Sequence, residues 1–240
     1  MVDARSTTFR LDDISYLTQE KARLVDACTK CHGLDFKCEC YHAYDVEVRK
    51  VRANIPLKYR KADLSVLKAK EAVKPVETLK AYIAKMRDNR NKGVGLYLWG
   101  SKGTAKTYSG CAVIIQALGK GYSAYYTTLD NCIDNLLRNK SNSANFANLL
   151  QTVSFLLIDD IGYTYRPAKD EVAYVDYLLD RIMRQRCNEL LPTIATSHLS
   201  ITDLEETNSS GSRISSIIKE HMRRVQFSGP DFRSRFNPGG

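Results

Sequence analysis

The sequence predicts an α/β protein: a parallel five-stranded sheet flanked by helices, preceded by a small helical, metal-binding module. Three observations carry that reading. From residue 93 onward, short apolar runs of strand type alternate with helical segments across brief turns, the pattern that leads to parallel pairing through helical crossovers. Before residue 93 the chain is charged and helical, with an interruption at Pro56. Four cysteines, Cys28, Cys31, Cys38 and Cys40, crowd into thirteen residues.

In chain order, residues 1–27 read as helical and the cysteine cluster follows. Helical segments around Asp45 to Arg52 and Lys74 to Arg90 surround Ile55-Pro56-Leu57. Gly95 to Trp99 is a first strand entering a Gly/Ser/Thr turn, and Tyr108 to Leu118 continues as an apolar helix ended by Gly119 and Gly121. Ser123 to Thr127 is a second strand, Leu129 to Arg138 a helix, and Asn139 to Asn145 a polar loop. Val153 to Ile158, Pro192 to Thr196 and Val225 to Phe227 complete the strands. Glu171 to Arg186 is a long helix, a polar loop is expected over Thr207 to Ser212, and a last helix runs from Ile214 to Glu220.

Composition narrows the function classes. A chain of 240 residues with 43% hydrophobic and 26% charged residues is neither disordered nor fibrous, and it has room for a core of roughly 150 residues plus an appendage. No apolar run approaches the roughly 18 residues of a membrane span, and the N-terminus lacks a signal-peptide layout, so no membrane partner and a cytoplasmic location are expected. That compartment disfavours a disulfide framework and favours metal binding at the clustered cysteines; Cys111, Cys132 and Cys187, in helical segments, read as core. The net charge of +9 is concentrated: residues 49–92 hold fourteen basic and four acidic residues. A polyanion partner follows, with Lys58-Tyr59-Arg60-Lys61 mixing charge and an aromatic face as single-strand binders do.

Gly100-Ser101-Lys102-Gly103-Thr104-Ala105-Lys106-Thr107 lies between a predicted strand and a predicted helix, the context in which backbone N–H groups wrap a phosphate at a helix N-terminus. Lys106 would reach the β- and γ-phosphates of ATP and the Thr107 hydroxyl would ligate Mg²⁺. Glycine is usual where Ala105 stands. A methyl group there crowds the loop or demands a backbone angle that alanine dislikes and damages the site, leaving a pseudo-ATPase, or the position takes ordinary helical angles and tolerates a small side chain.

Phe155 to Ile158 ends in Asp159-Asp160. Asp159 would hold Mg²⁺ through water, and Asp160 would orient or deprotonate the attacking water, slowly because it is a methylene shorter than glutamate. At the end of the next strand, Ser197 or His198 stands where a γ-phosphate sensor would sit. The spacing Cys28-x₂-Cys31-x₆-Cys38-x-Cys40 supplies four thiolates, enough for a structural Zn²⁺ site, with His32 and His42 as substitute ligands.

Taken together, the chain resembles the helicase-loader branch of the AAA+ ATPases, the DnaC/DnaI group, with the transposition ATPase IstB as a near relative. The resemblance rests on the cysteine cluster, Ala53-Asn-Ile-Pro-Leu-Lys-Tyr59, the loop at 100–107, Leu157-Ile-Asp-Asp-Ile-Gly162, Pro192-Thr-Ile-Ala-Thr-Ser197, Ser212-Arg-Ile214 and Phe227-Ser-Gly-Pro-Asp-Phe-Arg233, and spans about residues 28–236. It implies a P-loop AAA+ core and a factor that binds a hexameric, DnaB-like replicative helicase and delivers it onto single-stranded DNA. About six subunits would gather on the helicase, in a bacterial cell or encoded by a phage. The expected division is 1–48 as a zinc-binding, helicase-binding module, 49–92 as a basic helical linker and 93–240 as the ATPase core. The resemblance also makes Arg213 an arginine finger that reaches a neighbour's nucleotide, so that hydrolysis depends on assembly. The alternative is an IstB-like ATPase assembling on duplex DNA to direct a transposase; the cysteine cluster favours the loader, because the transposition relatives generally lack it.

Overall fold

The computed structural model describes residues 10–68, 72–139, 141, 143–162, 169–207, 209–229 and 231–232. Arg233, the last residue of the terminal motif, lies outside them. The chain divides into two compact units, Met1–Lys61 and Ala62–Gly240.

The first unit holds helix α1 (Leu11–Lys21), a single π turn (Ala22–Asp26), the cysteine loop, and helix α2 (Glu39–Arg52), followed by a 3₁₀ turn at Leu57–Tyr59. One apolar cluster joins Tyr16, Leu17 and Val51, with Tyr44 and Val48 packed against them. Ion pairs take up much of the remaining interior. Arg60, 1% exposed, pairs with Asp13 and lies over the Tyr16 ring, while Lys50 pairs with Glu47 at 2.7 Å and the Tyr16 hydroxyl donates to Glu47. Paired buried charges hold a geometry without adding much net stability.

In the second unit, α3 (Val73–Ala84) and α4 (Met86–Asn91) lead into β1 (Gly95–Gly100), α5 (Lys106–Gly119), β2 (Ala124–Thr128), α6 (Leu129–Ile133), α7 (Ser143–Thr152) and β3 (Phe155–Asp159). Then come α8 (Lys169–Asn188), β4 (Thr193–Ser197), α9 (Ile201–Thr207), α10 (Ser209–His221) and β5 (Met222–Phe227). The five strands are all parallel in the order β2-β3-β4-β1-β5. The inner strands β3 and β4 are buried at every residue, as expected with helices on both faces, whereas the edge strand β5 alternates with exposed Arg223, Arg224 and Gln226. Helix α5 lies against the sheet at Gly110, where a Cβ would come within 3.1 Å of Leu157.

Two expectations need correction. Residues 143–152, expected as the end of a polar loop and unassigned chain, form α7, whose Phe146 and Leu150 join the main core with Leu156, Ile158, Ile182 and Ile218. The helix is fixed by Arg186, which is fully buried and donates to the carbonyls of Leu150, Val153 and Pro192 at 2.7–2.9 Å and to Thr193 Oγ1 at 3.0 Å. Burial lowers its pKa to about 9. The loop expected over 207–212 is also largely helical, since α10 begins at Ser209. Within the stretch 49–92, the end of α2 belongs to the first unit, and α3, packed on α5 and β5, to the second.

Candidate nucleotide-binding site and cysteine centre

The phosphate loop forms where β1 ends beside β5. At Gly100, φ 139°, a Cβ would approach the Phe227 carbonyl oxygen to 1.9 Å, so the position excludes a side chain. The Thr104 hydroxyl donates to the Ser101 carbonyl at 2.7 Å and braces the turn. Lys106, 8% exposed, folds back and donates to the carbonyls of Gly100 at 2.8 Å and Ser101 at 2.7 Å. Ala105 has φ 67° and ψ 23°, the left-handed conformation that glycine normally supplies, at a cost of about 1 kcal/mol for alanine. Of the two readings open for Ala105, ordinary helical angles are therefore not the outcome. The loop closes and the alanine carries the disfavoured angle.

Thr107, in the first turn of α5, donates to Asp159 Oδ1 at 2.9 Å, joining the phosphate loop to the end of β3. Asp159 is 5% exposed and also accepts from Tyr126 Oη of β2, at 3.0 Å, and from Thr196 Oγ1 of β4. Burial raises its pKa above the usual carboxylate value, and the adjacent Asp160 charge adds to the rise against the three hydroxyl donors. A hydroxyl and a buried carboxylate meeting between two elements form a set of hard oxygen donors, the chemistry Mg²⁺ requires. Asp160 leaves the strand at φ 57°, with its side chain exposed and its N–H donated to Thr196 Oγ1 at 3.0 Å.

Thr196 thus reaches both members of the acidic pair. Ser197 is fully buried and faces away: its hydroxyl donates to the Ile161 carbonyl at 2.6 Å and accepts the Leu199 N–H at 3.0 Å. His198 follows the strand, half-buried. Arg213 is exposed on α10. Sequence reading missed Tyr126 and Thr196. No local signal singles out Thr196, because β4 is buried at every residue and shows no alternation.

In the first unit, Cys28, Cys31, Cys38 and Cys40 bring their sulfur atoms within 4.8 Å of one another. Cys28 and Cys38 are 3.9 Å apart, Cys31 and Cys40 3.5 Å. A tetrahedron of sulfurs about 2.3 Å from a zinc ion has edges of about 3.8 Å, so the cluster fits that metal. Among the described residues the group contains neither His32 nor His42. The turn is made by His32 at φ 48° and Gly33 at φ 75°, and Tyr41 Oη donates to the Gly33 carbonyl at 2.8 Å. The Asp35 backbone N–H lowers the Cys31 thiol to about 6, whereas burial pushes Cys40 up to about 12.

Residues 60–222 match the family described as IstB-like ATP binding protein. The replicative helicase loader DnaI of Bacillus subtilis (strain 168) is 28% identical over 125 residues, an alignment covering 50% of this chain and 38% of that relative. The matched region is thus well under half of the relative's length. Among solved structures, the crystal structure of DnaI is similar with a TM-score of 0.59 and 22% identity over 72% of this chain and 95% of that one. The DnaC helicase loader gives 0.60 and 22% over 72% and 100%. The replication initiator DnaA bound to AMPPCP and single-stranded DNA gives 0.60 and 18% over 73% and 52%. These structures share the fold. Among the described residues no helix is long and apolar enough to cross a membrane.

Proposed function

This chain belongs to the family of IstB-like ATP binding proteins, with the AAA+ fold of the DnaI and DnaC loaders, and on that premise we propose that it is an ATP-controlled helicase loader. It binds a hexameric replicative helicase and delivers it onto single-stranded DNA, acting in the cytoplasm as an assembly of about six subunits. The observation that carries the reading is the four-thiol cluster in its own compact unit, separate from the unit with the complete phosphate loop. The similarity to DnaI supports it.

In this reading ATP lies on the loop at 100–107 and Lys106 exchanges its two carbonyl acceptors for phosphate oxygens. Thr107 and Asp159 hold Mg²⁺, which neutralises phosphate charge. Asp160 orients the attacking water, Thr196 fixes both aspartates, and Arg213 serves a neighbouring subunit's nucleotide. Hydrolysis is slow and depends on assembly, so nucleotide acts as a switch. The four cysteines would hold Zn²⁺, and the metal would supply part of the folding free energy of this small unit. That unit grips the helicase.

A second reading, an ATPase that assembles on duplex DNA to direct a transposase, is favoured by the description of the matching family. The two are separated by electron microscopy of the protein with ATP on duplex DNA and, in parallel, with helicase and circular single-stranded DNA. Helicase delivered to the circles and no duplex filament supports the loader. Filaments on duplex DNA without helicase capture support the transposition role.

A further inference from the structure

The segment after β5 lies on the phosphate loop. A Cβ built on Gly103 would come within 2.3 Å of the carboxyl carbon of Asp231 and within 2.3 and 2.5 Å of its two oxygens, so the carboxyl group rests directly against the loop backbone. The next residue anchors it: the Phe232 N–H donates to the Gly103 carbonyl at 2.9 Å, and the Phe232 side chain is 3% exposed. Upstream, the Phe227 carbonyl packs on Gly100. The chain from 227 to 232 therefore touches the loop at both ends, although neither Asp231 nor Phe232 is part of a strand or helix.

A carboxyl group in this place has an electrostatic consequence. The loop and the N-terminus of α5 present backbone N–H groups and the positive end of the helix dipole, which attract an anion. Asp231 brings a negative charge to the same loop. Nucleotide phosphates seated on 100–107 share that loop with it, and like charges a few ångströms apart repel.

We propose that residues 231–232 form a strap that weakens nucleotide binding: Phe232 pins the strap to Gly103, and the Asp231 carboxylate opposes the phosphates of the bound nucleotide. Binding and strap docking are then coupled, because a nucleotide that repels Asp231 loosens the strap, and a docked strap speeds nucleotide release. The inference rests on the reading of 100–107 as a nucleotide site. A purely structural Asp231 behaves in the opposite way, since removing its charge loosens the loop and lowers affinity.

The test is fluorescence titration and stopped-flow dissociation of a fluorescent ADP on the full chain, its Asp231→Asn, Phe232→Ala and Lys106→Ala variants, at low and moderate salt. Melting temperatures confirm folding. Asp231→Asn is expected to tighten binding about three- to tenfold, mainly by slower release, with the gain shrinking as salt rises. Phe232→Ala should shift affinity in the same direction. Equal or weaker binding by a folded Asp231→Asn overturns the strap while leaving the site intact. Wild-type binding that Lys106→Ala does not diminish, or no saturable binding at all, overturns the site reading itself and the strap with it.

Discussion

Thr196 donates a hydrogen bond to the Asp159 carboxylate and accepts one from the Asp160 N–H, at 3.0 Å for the latter. One side chain on β4 thus sets both members of the acidic pair at the end of β3. Replacing it with valine keeps its shape and removes both bonds. Thr196→Val is expected to lower hydrolysis at least tenfold while nucleotide affinity changes less than threefold, roughly what losing two hydrogen bonds implies. Comparing turnover with equilibrium binding checks this, and an equal loss in both places Thr196 in ground-state binding instead.

The left-handed Ala105 predicts a stabilising substitution. Ala105→Gly removes the backbone strain, offset in part by the greater freedom glycine gives the unfolded chain, for a net gain of about 0.5–1 kcal/mol. Thermal melts should rise by a few degrees, and Ala105→Val should lower them further than the glycine raises them. A lower melting temperature for Ala105→Gly contradicts the left-handed assignment.

These two residues show where the sequence was informative. The strands at 95–100 and 155–159 and the loop between β1 and α5 were legible because apolar runs ending at glycine or aspartate fix both the element and its end. The conformation of Ala105 was not, because the angle is set by closure of the loop against β5, a contact distant in sequence. Thr196 was hidden by burial of β4 on both faces, which erases the alternation that would assign its parity. Helix α7 carried a readable signal in Phe146, Leu149 and Leu150, masked by the asparagine-rich stretch before it. The fully buried Arg186 had no local signal, since arginine is a surface residue unless carbonyls from several elements converge on it.

Asp159 carries a pH dependence of known sign. Its folded-state pKa is raised by burial, so it contributes stability that is fully present below the unfolded value of 3.8 and lost as pH rises through the higher folded value. The nucleotide-free protein should therefore lose this stabilisation as pH rises above 3.8. Asp159→Asn should flatten that part of the melting curve, raise the melting temperature at neutral pH by a few degrees, and abolish the magnesium dependence of nucleotide binding. A variant less stable than wild type at neutral pH without nucleotide contradicts the account.

The cysteine cluster predicts one zinc per chain, measured by elemental analysis of the purified protein. Chelation or Cys40→Ser should release it and unfold the first unit, with far-ultraviolet circular dichroism losing the signal of α1 and α2. Nucleotide binding by the second unit should survive. Retained helix signal after complete metal removal argues against a structural metal.

Arg213 is expected to act only between subunits. Arg213→Ala should leave nucleotide affinity within about twofold and abolish the rise in hydrolysis on adding helicase, an effect of the size seen for such fingers, about 10³-fold or more. Unchanged stimulated hydrolysis removes Arg213 from that role.

The central claim is that nucleotide on the 100–107 loop controls assembly with a helicase. Light scattering coupled to size exclusion, on mixtures with the host's hexameric replicative helicase, measures it directly with a non-hydrolysable ATP analogue, with ADP and without nucleotide. The account predicts a complex with about six copies of this chain in the presence of the ATP analogue, lost with Lys106→Ala. No complex under any of the three conditions, or one indifferent to nucleotide and to Lys106→Ala, contradicts it.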